Sequence, residues 1–304
     1  MRDSIEKEQA VNTLFSPNTD PNKHASRLAW KAMEPYHAMI YFAPEARTAY
    51  TAAGLKGYWM GYFASRAAAL GPVSSEVVSA TFYNFHPAMV ARAIPDAWRF
   101  SSPEQVLAAR LEAADLALQR LLGDLTTSQE LAEAADLAHA ATQACSVAGR
   151  TLFAAHAALP WPEKPHLALW HATTLLREFR GDGHVATLLA ENIDGCEAHL
   201  TQVATGRMQK ETLQPLRGWS DEEWEAARNR LIQRGYLDET GTLTLTGQEV
   251  RQRIEQRTDE LALPPWQSLG EEKFTRLLSL MRTFSNKIFE QNGIPTPSPI
   301  GDLR

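Results

Sequence analysis

The sequence predicts an all-α protein in which a multi-helix lobe precedes a winged-helix segment (helix, short β-hairpin, helix) and a C-terminal helix. Apolar residues recur at helical spacing through most of the 304-residue chain. Capping signals typical of helix starts occur at three places: Ser102 with Gln105, Thr127 with Glu130, and Ser220 with Glu223. One alternating stretch, TLTLT at 242–246, predicts the strand that interrupts this helical pattern.

The composition is that of a globular chain with no general affinity for polyanions. Hydrophobic residues make up 44% and charged residues 22%, which suffices for a substantial core. The net charge of −6 gives no global attraction to nucleic acid or to anionic membranes. Cys145 and Cys196 are too few for a disulfide framework or a Cys-x-x-Cys zinc site. No signal peptide and no 18-residue apolar run occurs, which predicts a cytoplasmic protein without a membrane partner.

The first part of the chain predicts a tail and then the helical lobe. Residues 1–24 are polar and rich in turn-forming residues, which predicts a mobile N-terminal tail. Residues 25–206 are the predicted helical lobe, and Pro35 should split or kink its first helix. His37 and Tyr41, four residues apart, would then share one face just after the break.

Two further pairs of polar residues occur beside aromatic residues in this lobe. Tyr62 and Arg66 are also four apart, in a block rich in Ala and Gly, and an arginine buried there would need a partner. A helix predicted over about 74–85 would leave Asn84 and His86 at its end, where side chains face a cleft.

The strongest candidate site is the stretch LREFRGDGH at 176–184. Gly181 and Gly183 are predicted to break or bend the helix, so that the polar side chains around them turn towards one cavity: Arg177, Arg180, Asp182 and His184. Arginine suits a carboxylate or phosphate, and histidine suits proton transfer. The alternative is a corner between two helices, in which Asp182 caps the next helix and Arg180 is solvated.

Residues 207–264 are predicted to form the winged-helix segment, and residues 265–304 the C-terminal helix and tail. The sequence RGYLDETGTLTLTGQEVRQRIEQRTDELA resembles the second half of a MarR-type winged helix-turn-helix, in which the wing precedes a dimer helix. Together with HAMIYFAPEA, GYFASRAAALG, TFYNFHP and LREFRGDGH, the chain resembles a mainly actinobacterial family known by its helix-turn-helix segment. That resemblance implies a helical lobe with a winged helix, and it implies no cofactor and no reaction.

The charges of the predicted recognition helix, 220–235, disfavour DNA as a partner. Four acidic residues fill its first turns against three arginines further on: Asp221, Glu222, Glu223 and Glu225, then Arg228, Arg230 and Arg234. The N-terminal turn of such a helix faces bases and phosphates, so these carboxylates would oppose the contacts that supply most affinity. The winged helix is therefore expected to serve packing or dimerisation, with a homodimer left open.

The leading hypothesis is a lobe that binds a small polar or anionic organic molecule, with acid–base catalysis as the chemistry its residues could support. The candidate catalytic residues are His184, Asp182 and His86, and the candidate ligand-binding residues are Arg66, Arg177, Arg180, Tyr62, Asn84, His37 and Tyr41. No metal-ligand motif is present, and the sequence identifies no cofactor. The alternatives are a MarR-like, ligand-responsive transcriptional regulator and a purely structural or interaction protein.

Overall fold

The computed structural model describes residues 14–16, 24–206, 208–295 and 298. The predicted mobile tail at 1–24 and the tail after Pro295 lie mostly outside these residues. Within the described ranges the regular structure is helical, which confirms the all-α class, and the one β feature is an isolated antiparallel bridge between Leu237 and Leu243. None of the helices in these ranges has both the length and the apolar character needed to cross a bilayer.

Ten helices between Ala25 and Ala190 form the helical lobe. They are α1 (Ala25–Ala38), α2 (Pro44–Ala52), α3 (Gly57–Ala67), α4 (Ser75–Phe82), α5 (Pro87–Ala91), α6 (Ala97–Phe100), α7 (Pro103–Leu122), α8 (Gln129–Thr142), α9 (Thr151–Ala157) and α10 (Pro165–Ala190). Short 3₁₀ helices follow three of them: Met39–Tyr41, Ala68–Leu70 and Gly123–Thr127.

Six more helices complete the described chain. They are α11 (Gly195–Ala204), α12 (Lys210–Arg217), α13 (Asp221–Gln233), α14 (Leu245–Leu261), α15 (Pro264–Leu269) and α16 (Glu271–Glu290). We call α11, α12 and α13 the three-helix segment. α11 and α13 pack around Trp224 and Leu231, which are buried in a core that also takes Leu188 from the end of α10 and Val250 and Ile254 from α14.

The main core packs α1 against α16 and α10, with α7 and α8 completing the group. Tyr36, Leu118 and Phe284 are fully buried in it. A second core joins α3 to the short helices α4, α5 and α6 around Phe63 and Ile94. The first half of α10 packs into the main core, and Leu188 near its end packs into the core around Trp224, so both ends of the polar stretch between them are held in place.

Neither α1 nor α10 is interrupted where the sequence predicted a break or a bend. α1 does not split at Pro35; it continues to Ala38 and then tightens into the 3₁₀ turn. α10 is one uninterrupted 26-residue helix, so Gly181 and Gly183 do not break it. Gly183 instead makes room for the guanidinium of Arg150, which donates to the carbonyl oxygens of Phe179 and, at 2.8 Å, Leu261. The glycine therefore serves packing.

The predicted hairpin is reduced to the single bridge for a local reason. The side chain of Thr244 accepts a hydrogen bond from the backbone nitrogen of Gly247 at 3.0 Å and so caps α14, which begins at Leu245. The second half of the strand predicted over 242–246 is therefore helix. Asp238 closes the preceding turn, because its carboxylate accepts hydrogen bonds from the backbone nitrogens of Thr240 (2.9 Å) and Thr242 (3.0 Å).

Two glycine substitutions test this description of the helices. Gly181→Ala should raise the free energy of unfolding by about 0.5–1 kcal/mol, because alanine is favoured inside a helix and its methyl group would lie 3.6 Å from the nearest Glu178 oxygen, an ordinary contact. Gly195→Ala should lower it by about 1–3 kcal/mol, because the methyl group would clash with the carbonyl oxygen of Tyr83. Urea unfolding measures both. A loss of stability in Gly181→Ala would contradict an uninterrupted α10.

Candidate functional site

A buried group of charged residues from four helices forms the centre of the candidate site. We call it the arginine cluster: Glu34 (α1), Arg66 (α3), Arg110 (α7), Arg177 and Glu178 (α10). Arg177 donates from Nε to Glu34 at 3.0 and 3.2 Å and from Nη1 to Glu178 at 2.9 Å. Arg66 donates from Nη2 to both oxygens of Glu178 at 3.3 Å. Glu178 is thus shared by two guanidinium groups.

The electrostatics of the cluster keep its carboxylate charged. Glu178 is only 4% exposed, and burial alone would raise its pKa. The charges of Arg66 and Arg177 outweigh that effect and lower the pKa of Glu178 to about 2. It is therefore ionised at neutral pH and acts there as a fixed counter-charge, with no proton to donate.

Arg110 gives the cluster an excess of positive charge. This residue is 4% exposed, and its guanidinium lies 4.7 Å from the centre of the Trp170 ring. Its Nε has no hydrogen-bond partner, and in the described part of the chain it makes no ion pair with a carboxylate. Arg110 is close enough to Glu178 to lower the pKa of that carboxyl group, but the ion pairs of Glu178 are with Arg66 and Arg177. The arginine cluster therefore contains three positive charges and two negative charges.

Hydroxyl and imidazole groups line the same region. Tyr62 accepts a hydrogen bond from Arg66 Nη1 at 3.1 Å, and its ring centre lies 5.2 Å from that of Tyr41. His37 bonds through Nε2 to the Tyr41 hydroxyl (2.8 Å) and through Nδ1 to Thr174 Oγ1 (3.0 Å). Burial lowers the pKa of His37 well below its usual value, with Arg177 adding to the effect, and burial raises the pKa of Tyr41 to about 12.

The structure therefore brings together five of the residues predicted from sequence: Arg66, Arg177, Tyr62, His37 and Tyr41. Glu34, Glu178 and Arg110 complete the cluster and were not predicted. A helical signal could have identified Arg110, because Ala113, Ala114 and Ala117 follow it at i+3, i+4 and i+7. These alanines are fully buried and share its helix face.

A narrow cleft reaches one edge of the cluster between α1, α10 and α15. Its lining includes Trp30, Glu34, His37, Arg177 and Arg180. The cavity measures about 20 Å³, which is room for one water molecule. A larger molecule would enter only if side chains moved.

Arg180 and His184 also attach α10 to α14. Arg180 pairs with Asp259 at 2.7 Å, and the same carboxylate pairs with Arg27 of α1 at 3.0 Å. His184 bonds through Nδ1 to Thr258 Oγ1 at 2.9 Å. Burial lowers the pKa of His184 to about 4, so it is neutral at pH 7. The predicted convergence of this stretch on one cavity holds for Arg177 and Arg180, which line the cleft, and is wrong for His184.

Asp182 faces a different helix again, so the predicted convergence is wrong for it too. Its carboxylate accepts a hydrogen bond from the backbone nitrogen of Phe153 at 2.9 Å, in the first turn of α9. Asp182 thus stabilises a helix start, as the alternative reading of the sequence expected, but the helix precedes α10 in the chain. Burial raises the pKa of its carboxyl group to about 6.

Asn84 and His86 lie where the lobe meets the three-helix segment. The carbonyl oxygen of Asn84 accepts hydrogen bonds from His199 Nε2 and Trp219 Nε1, both at 3.0 Å. His86 bonds through Nε2 to Glu223 at 2.7 Å, and its ring packs edge-on against Trp219. These residues join the two parts of the molecule and form no hydrogen bond with the side chain of Arg177, whose partners are Glu34 and Glu178.

The outward face of α13 is acidic, and its arginines are engaged within the protein. Asp221, Glu222 and Glu225 are exposed. The arginine pairs are Arg228 with Glu225 (3.0 Å), Arg230 with Glu197 (2.9 Å) and Arg234 with Glu197 (2.7 Å). Phosphate contacts from this helix would have to compete with these ion pairs.

Comparison with known proteins identifies a family. A model of a helix-turn-helix family matches residues 26–295, and the chain belongs to that family. No curated protein and no solved structure matches the chain.

The position of Asp182 predicts an unusual dependence of stability on pH. Because its folded pKa is raised, ionisation of Asp182 opposes folding as pH rises through about 4 to 6. Asp182→Asn keeps an acceptor for Phe153, and it should be more stable than the wild type by about 1–3 kcal/mol at pH 7.5 and by little at pH 3.5.

The control is Asp115→Asn, measured by urea unfolding at the same pH values. Burial raises the pKa of Asp115, but Lys164 and His166 lower it by more, so this variant should lose stability at pH 7.5 and little at pH 3.5. Parallel pH curves for Asp182→Asn and the wild type would rule out a raised pKa at Asp182.

Proposed function

We propose that this member of the helix-turn-helix family binds a small anionic organic molecule at the arginine cluster. Its three-helix segment, with the turn around Leu237 and Leu243 and the long helix α14, would form a winged helix that packs against the lobe. The observation that carries the proposal is the buried guanidinium of Arg110, which has no hydrogen-bond partner at Nε and makes no ion pair within the described residues.

The energetics of a buried charge support this assignment. A charged group removed from water without a partner costs several kcal/mol, so buried charges in proteins are paired or neutralised by a ligand. Arginine stays protonated, and its planar donors match a carboxylate or phosphate. An anion close to Arg66 and Arg110 would remove the charge imbalance of the cluster and give Arg66 Nε, which also has no hydrogen-bond partner, an acceptor.

The protonation states favour binding over proton transfer at this position. At neutral pH Glu178 is ionised, His37 is neutral and Tyr41 is protonated, and each has a pKa far from 7. A general acid or base works best when its pKa lies near the operating pH. These groups would orient a ligand through hydrogen bonds.

A second candidate function, a ligand-responsive transcriptional regulator, is favoured by the family match and by the order of α11, α12 and α13. The charges of α13 argue against a regulator that binds DNA. The first turn of α13 is acidic, and its arginines already pair with Glu197 and Glu225. DNA affinity depends on phosphate neutralisation by basic groups, which this face does not offer.

Removal of Arg110 tests the binding proposal. Millimolar sodium phosphate should raise the thermal midpoint of the wild type by about 2–4 °C over sodium chloride of equal ionic strength. Arg110→Met should lose this response because it loses the unpaired cation. Without phosphate it should be as stable as the wild type, or up to about 2 kcal/mol more stable, since a buried unpaired charge has been removed.

Arg120→Met is the matched control for this measurement. Arg120 lies on the same helix, but it is largely exposed and pairs with Glu45. The control should keep the phosphate response. An equal response in Arg110→Met and the wild type, or none in the wild type, would contradict the proposed site.

DNA binding separates the two candidate functions. The wild type at micromolar concentration should not shift random duplex DNA at low salt, because carboxylates cover the exposed start of α13. Glu222→Lys with Glu225→Lys should introduce weak binding that decreases as salt rises. Wild-type binding with a steep salt dependence would favour the regulator instead.

A further inference from the structure

Arg217, the last residue of α12, adds another cation next to the arginine cluster. It is half-buried, and its guanidinium lies 4.6 Å from the centre of the Phe85 ring. The one hydrogen bond of this side chain is a 3.3 Å contact from Nη1 to the carbonyl oxygen of Leu216. Within the described ranges it makes no ion pair. The backbone of Arg217 is held in place, because its carbonyl oxygen accepts a hydrogen bond from the backbone nitrogen of His86 at 2.8 Å.

Aromatic rings connect Arg217 to Arg66. Phe85 lies 5.6 Å from Tyr62, and the Tyr62 hydroxyl accepts a hydrogen bond from Arg66. The two guanidinium groups are close enough to interact: burial lowers the pKa of Arg217, and the charge of Arg66 lowers it further. Arg66 therefore contacts Tyr62, Arg217 contacts Phe85, and the two rings pack against each other, while no carboxylate in the described part of the chain pairs with Arg217.

Arg217 and the nearby Tyr58 are more exposed than the buried arginines of the cluster. Tyr58 is 51% exposed and stacks on Tyr62 at 6.1 Å. Arg217 is half-buried, and its charge is close enough to Tyr58 to affect the pKa of the Tyr58 hydroxyl group. Arg66 and Arg110, by contrast, are no more than 9% exposed. A ligand that enters past Tyr58 would meet Arg217 first and the arginine cluster behind it.

We propose that the ligand is a dianion, a dicarboxylate or a phosphate monoester, with one charged group at Arg66 and Arg110 and the other at Arg217. The inference rests on the proposed function. Four guanidinium groups face two carboxylates here, so one negative charge would leave the site cationic and two would neutralise it. Since Arg217 belongs to α12 and the other groups to the lobe, the bound dianion links the three-helix segment to the lobe.

Two four-carbon acids test the number of charges. Succinate carries two negative charges at pH 7.5 and butyrate carries one. The concentration of succinate that gives half-maximal thermal stabilisation of the full-length wild type should be at least about tenfold lower than that of butyrate, because succinate makes a second charge-assisted contact. Arg217→Gln should abolish this difference and leave the butyrate response unchanged, which also shows that the variant is folded.

Two further variants complete the experiment. Arg217→Lys keeps a charge and should retain part of the preference for succinate. Arg228→Gln, which removes an arginine of α13 that pairs with Glu225, should retain all of it. Equal responses to both acids in the wild type, or an unchanged preference in Arg217→Gln, would overturn the dianion and leave anion binding intact. No response to either acid would overturn both proposals.

Discussion

The polar interior of the lobe depends on the ion pairs that Glu178 forms with two arginines. The Glu178 carboxylate binds Arg66 from α3 and Arg177 from its own helix, and Arg177 extends the network to Glu34 of α1. Removing one partner from such a buried network costs about 3–5 kcal/mol, because the remaining charges are left without compensation. The network therefore holds three helices at fixed spacing and presents guanidinium groups in a region of low polarity, where their attraction for an anion is strongest.

The same interactions explain how α10 both stabilises the fold and carries residues of the proposed binding site. An uninterrupted helix sends successive side chains in different directions, so Arg177 reaches the cluster, Arg180 and His184 reach α14, and Asp182 reaches α9. Three neighbouring elements are tied to one scaffold in this way. The connection to the three-helix segment runs elsewhere, through Asn84 and His86, which leaves the acidic face of α13 outward.

Local signals in the sequence predicted the fold class, the helices that start at Pro103 and Asp221, and five members of the candidate site. They failed where a distant residue decides the outcome. Gly183 is conformationally able to bend a helix, but Arg150, thirty-three positions earlier, occupies the space beside it and the helix continues. The strand pattern TLTLT was overridden by the cap that Thr244 provides. Glu34 and Glu178 were missed because pairing between helices cannot be seen from one helix, whereas the buried alanines on its helix face could have identified Arg110.

The proposed function requires that the excess of buried positive charge in the lobe attract an anion that balances it. Crystals grown in sodium bromide test this directly, since bromide is located by its anomalous scattering. The account predicts an anomalous peak within contact distance of the Arg66 or Arg110 guanidinium, inside the lobe. Ordered guanidinium groups with no peak beside them, in crystals that show bromide on the protein surface, would contradict it.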